Sequence, residues 1–140
     1  METLTNIAGI TTKNDNNRLV FEDFIINYQP TLKEAEGYLD DMTEKIDPAF
    51  AEAYIPWKKS LHELLKGAYL MAKKVPLPNK AKFMEALQIF SFESAVTFLA
   101  DILISCHIKL ERDWAEKFRK SINNLLFAIA NMQQQANRSR

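Results

Sequence analysis

From Lys80 to Leu110 the chain contains neither glycine nor proline, and its full length holds only 3 glycines. Sheet proteins spend Gly, Pro and Asn on many turns, so a chain this poor in punctuation favours long helices over many strands. At 140 residues, 47% hydrophobic and 26% charged, it is large enough to bury one core without disulfides or metal to hold it. These bounds predict an all-α fold, a compact single-domain bundle of about five helices.

The breakers present divide the chain. Residues 1–18, ending in "TTKNDNNR", read as a flexible polar arm, and 19–132 as the bundle. In "LVFEDFIINY", Val20, Phe24, Ile25 and Tyr28 recur at helical spacing, which predicts a short helix despite the β-branched content. Thr31 and Glu34 then form a Thr-x-x-Glu capping box that opens a helix to Ile46. Its apolar positions Leu32, Ala35, Leu39, Met42 and Ile46 make a heptad seam, with Gly37 on the solvent side. Asp47 and Pro48 are an N-cap and a first-turn proline for a short helix that Pro56 stops or kinks.

From Trp57 to Val75 the amphipathic pattern is cleanest. Trp57, Leu61, Leu64, Leu65, Ala68, Met71, Ala72 and Val75 share one face. "VPLPN" ends that helix and leaves Asn79 as a cap for residues 80–110, which form one helix or two broken at Ser91. The most apolar window, 89–108, is interrupted by Glu93, Asp101 and His107, so it reads as a core helix, central around 92–108, and no membrane span is expected. Asp113 and Glu116 mark a last helix start, Trp114, Phe118, Ile122, Leu125, Ile129 and Met132 give its stripe, and 133–140 read as a frayed tail.

Charge is uneven along the chain. Residues 1–56 hold 11 acids and 4 bases, net −7, and residues 57–140 hold 14 bases and 7 acids, net +7. On helix 57–75, Lys59, His62, Lys66, Tyr69 and Lys73 fall within one sector opposite the apolar face. That sector is the candidate partner-binding site. It suits an acidic protein surface, and it suits nucleic acid too, because spaced lysines neutralise phosphates and a tyrosine stacks on a base. A surface made lysine-rich only for solubility has the same composition. The acidic helix 31–46, with Glu34, Asp40, Asp41 and Glu44 outward, also suits the basic helix, within a hairpin or across a dimer.

Catalytic and metal signatures fail on residue type. In "HELLK" the second zinc-ligand position of His-Glu-x-x-His is Lys66, a cation that cannot bind a metal. His107 has no Glu three residues ahead, the glycines make no phosphate loop, and Cys106 and His107 point about 100° apart on a helix. No metal and no cofactor are called for. Asp101 shares a narrow strip with Ser94, Thr97 and Ser105, which suits a sliver of solvent contact on an otherwise apolar helix, or a buried carboxylate bonded to Thr97, Ser105 or a Lys or Arg of another helix.

One cysteine and no basic-then-apolar leader in "METLTNIAGITTKNDNNR" suggest a cytoplasmic setting. The expected function is a non-enzymatic interaction protein that occupies another macromolecule's surface. That class spans adaptors, regulators and stoichiometric inhibitors such as immunity proteins or phage-encoded antagonists of host defence.

Overall fold

In the computed structural model the backbone is described for residues 2–106 and 110–138, and the side chains for 18–105 and 110–138. The readings of Cys106 and His107 as side chains therefore lie outside the described residues. Five helices follow one another: α1 (Glu2–Lys45), α2 (Pro48–Ala72), α3 (Lys80–Ile89), α4 (Phe92–Cys106) and α5 (Arg112–Arg138). Among the described residues there is no strand, and the all-α bundle is what the glycine-poor sequence predicts.

Local capping sets several of these boundaries. Asp47 Oδ1 accepts from the Ala49 amide at 3.0 Å and starts α2, with Pro48 in the first turn. Asn79 Oδ1 accepts from Lys82 N at 3.0 Å and starts α3. Ser91 Oγ accepts from Ser94 N at 3.2 Å, so the glycine-free stretch is two helices, bent by 74° at that serine. At the end of α2 the Val75 amide reaches Leu70 O at 2.9 Å and the Lys74 amide reaches Met71 O at 3.2 Å. This is a Schellman turn, with Lys74 at φ 59° in the left-handed position that glycine normally fills.

Two expected boundaries are overturned, and Pro56 does not stop its helix. Helix α1 runs unbroken through Pro30, so Thr31 and Glu34 lie in a helix interior instead of opening one, and helix extends back into the segment read as a polar arm. The bond that Pro30 forfeits belongs to the carbonyl of Ile26; both residues are exposed, so water can take that carbonyl. Pro56 likewise sits inside α2 on an exposed position, with exposed Glu52 four residues back. Helix α5 starts at Arg112, which puts Asp113 inside the first turn, where its carboxylate favours the helix dipole and meets Lys117 at 3.2 Å.

Helix α5 reaches into the segment read as a frayed tail, up to Arg138. Helix continues there because Ala136 is buried and Gln133 Nε2 donates to the carbonyls of Gln88 at 3.0 Å and Phe90 at 2.8 Å.

The element at the centre is α5, not α4. Phe118, Ile122, Leu125, Leu126, Ile129 and Met132 of α5 are all buried, and α1, α3 and α4 pack around it. Helix α4 covers one side. It buries Ala95, Leu99 and Ile102, packs Phe92 on Phe127 and Phe98 on Trp57, and leaves Ile104 68% exposed. Its apolar composition is thus spent partly on edge contacts, which a count of hydrophobic residues does not separate from centrality.

The first and last helices run antiparallel: Asn131 Nδ2 donates to the Tyr28 hydroxyl at 3.3 Å, and Tyr38 packs on Trp114 and Phe118. The predicted seam of Leu32, Ala35, Leu39, Met42 and Ile46 is buried throughout, with Phe21 and Phe24 continuing it upstream. Among the described residues no single helix is long and apolar enough to cross a membrane.

Candidate functional site

Helix α2 presents two different polar edges. The edge toward α1 is consumed inside the chain. Tyr54 is fully buried and its hydroxyl donates to Leu39 O at 2.7 Å. Lys58 Nζ donates to Thr43 Oγ1 at 2.7 Å and meets Asp40 at 2.9 Å. Burial pushes the Tyr54 hydroxyl far above the ordinary tyrosine range, and the nearby Asp40 charge pushes it the same way. Asp40 is 66% exposed, so its pair with Lys58 contributes at most about 1 kcal/mol and sets the register of the hairpin more than its strength.

The other edge faces outward. Lys59, Lys66, Tyr69 and Lys73 are exposed, whereas His62 is half-buried and turns toward α1, its Nε2 3.9 Å from Asp40 and beyond hydrogen-bond reach. The five residues read as one sector therefore divide: His62 joins the acidic partner helix, and the remaining four stay on the surface. Lys73 Nζ lies 4.3 Å from the centre of the Tyr69 ring, a cation–π contact that occupies one face of that ring. Among the described residues Lys59, Lys66 and Lys73 make no ion pair.

The acidic helix and the basic helix do meet as a hairpin, but of Glu34, Asp40, Asp41 and Glu44 only Asp40 pairs with α2 among the described residues. Glu34 instead shares a shallow cleft with Lys117 and Lys120 of α5, and Asp41 and Glu44 are exposed. The sequence reading did not separate Lys58 from its neighbours. Helical phase held the information, since Lys58 lies one residue before Lys59 and about 100° around, on the α1 side.

Asp101 is exposed, and so are Ser94, Thr97 and Ser105, which is the solvent-contact alternative for that strip. Among the described residues no group of three or more His, Cys, Asp or Glu side chains is placed to hold a metal. No family model, no curated protein and no solved structure matches the chain.

Proposed function

We propose that the chain is a non-enzymatic interaction protein that docks an acidic surface of another protein on the outward edge of α2, at Lys59, Lys66, Tyr69 and Lys73. The observation that carries this reading is the split between the two edges of one helix. Lys58, a residue away, is 19% exposed and tied to Asp40 and Thr43, while Lys59, Lys66 and Lys73 stand exposed and, among the described residues, make no ion pair. Cations left uncompensated along a rigid helix steer an acidic partner and fix its register.

A protein partner is favoured over nucleic acid because Tyr69, the one aromatic in the strip, has its ring under Lys73. A ring so occupied is a poor platform for a base. Self-association, with α1 acids of one copy on α2 lysines of another, is a narrower version of the same chemistry. The single cysteine suits a cytoplasmic adaptor, regulator or stoichiometric inhibitor.

The test is affinity capture from the organism of origin at low salt, with nuclease treatment, using the natural chain and a Lys59→Glu, Lys66→Glu, Lys73→Glu variant of unchanged helicity. The natural chain is expected to retain a defined acidic protein that the variant loses, and light scattering distinguishes a second copy from a foreign partner. Equal retention by both chains overturns the reading, and a partner lost on nuclease treatment moves it to nucleic acid.

A further inference from the structure

Three cations from separate parts of the chain meet at one cleft. Arg18 of α1, Lys74 in the turn that ends α2, and Lys80 at the first turn of α3 line a space of about 320 Å³, with Val75, Pro76 and Leu77 among its apolar walls. Arg18 belongs to the acidic half of the sequence, so its arrival beside the lysines is a product of the fold.

Two observations set this cluster apart from ordinary surface lysines. Lys74 holds a left-handed backbone, φ 59°, in a turn that glycine closes without strain, and strained positions of this kind gather at binding sites. Arg18 is anchored by Glu22, whose Oε2 accepts from Nη1 at 2.6 Å. A guanidinium anchored through Nη1 is held in one orientation at the wall of the cleft. Glu22 compensates Arg18, and among the described residues the two lysines make no ion pair.

We propose that this cleft takes an acidic side chain flanked by an apolar one on the partner protein. The carboxylate sits among Arg18, Lys74 and Lys80, and its apolar neighbour lies on Val75, Pro76 and Leu77. The proposal rests on the acidic-partner reading above and extends the docking edge one residue past Lys73, around the end of α2. The apolar wall decides between occupants: a nucleic-acid backbone would leave it unused, and the described lining residues offer no ring on which a base could stack.

The experiment is an NMR titration of the full chain with a short capped peptide carrying Asp-Leu and Glu-Phe pairs between Gly-Ser spacers. Control peptides replace the acids by Asn and Gln, or the apolar residues by Ala, and a single-stranded oligonucleotide is run in parallel. The parent peptide is expected to move the amides of Lys74, Val75, Leu77 and Lys80, and both control peptides to bind more weakly. Lys80→Gln and Lys74→Gly should each weaken it about tenfold, the loss of one charge-assisted hydrogen bond. Lys74→Gly relieves the strained backbone, so weaker binding by a chain at least as stable separates recognition from folding.

Shifts confined to the amides around Lys59, Lys66 and Lys73 overturn the cleft and leave the docking edge standing. Cleft shifts produced by the oligonucleotide and not the peptide overturn both. Absence of any shift at saturating peptide also overturns the cleft.

Discussion

The ring of Phe83 occupies the space that a side chain at Gly67 would need. A Cβ at Gly67 would lie 2.2 Å from Cδ1 and 2.3 Å from Cε1 of that ring, which itself packs 5.7 Å, centroid to centroid, from Phe21. Helix α3 is therefore seated in a notch that one missing methyl group creates in α2. Gly67→Ala is expected to destabilise by about 1–2 kcal/mol, overpacking outweighing the helix propensity that alanine returns. In a Phe83→Ala background the same change should become neutral or stabilising. Urea unfolding of the four-member cycle checks this, and additive costs would refute the notch.

Lys74 and Gly37 make the opposite case, each being the wrong residue for its backbone. Lys74→Gly removes a left-handed lysine and should stabilise by about 1 kcal/mol. Gly37 lies exposed in mid-helix with nothing within 4 Å of a Cβ built on it, so Gly37→Ala should gain a similar amount. Thermal melts of the two single variants and the double variant should show additive rises. A fall in either single variant would contradict the geometry assigned to that position.

Tyr54 makes stability sensitive to alkali. Its hydroxyl titrates above the ordinary range in the folded chain, first because it is buried and then because Asp40 is near. The unfolded chain loses that proton first, near pH 10. The contribution is therefore fully present below about pH 10 and declines as pH rises from there. Urea midpoints measured from neutral pH upward should fall more steeply for the natural chain than for Tyr54→Phe. The variant itself costs about 0.5–1.5 kcal/mol at neutral pH through the lost bond to Leu39. Parallel pH profiles would show that the hydroxyl is not protected.

Asp101 should matter little. It is exposed on the polar strip of α4, and among the described residues it has no ion-pair partner. Asp101→Asn is expected to change stability by no more than about 0.5 kcal/mol. A loss several times larger in chemical denaturation would mean that the carboxylate holds a contact in the folded chain.

What the sequence made legible was mostly local. The caps at Asp47, Asn79 and Ser91 are decided within three residues, and all three form. The seam from Leu32 to Ile46 and the stripe on α5 are periodic, and both are buried apart from the half-buried Trp114. Pro30 misled, and Pro56 does not stop α2, because a proline's cost depends on where its orphaned carbonyl points, and on a solvent face water satisfies it. The centre of the bundle misled because the apolar content of α4 says nothing about which helix the others surround.

At the candidate site, phase around α2 was readable but depth was not. His62 belongs to the same sector as Lys59 and Lys66, yet only the position of α1 decides that it is half-buried beside Asp40. The meeting of Arg18 with Lys74 and Lys80 was not readable, because it joins helices from opposite ends of the charge map.

The pairing of the first helix with the fifth has a consequence for how the chain is made. Tyr28 and Asn131 touch across 103 residues, and Tyr38 waits on Trp114 and Phe118 in the same way. During synthesis the α1–α2 hairpin can close as soon as Asp47 caps its second arm, but the α1 surface meant for α5 stays bare until the fifth helix emerges. The nascent protein thus elongates through α3 and α4 with that surface uncovered. A chaperone that covers Tyr28 and Tyr38 until α5 emerges would raise the yield of folded chain.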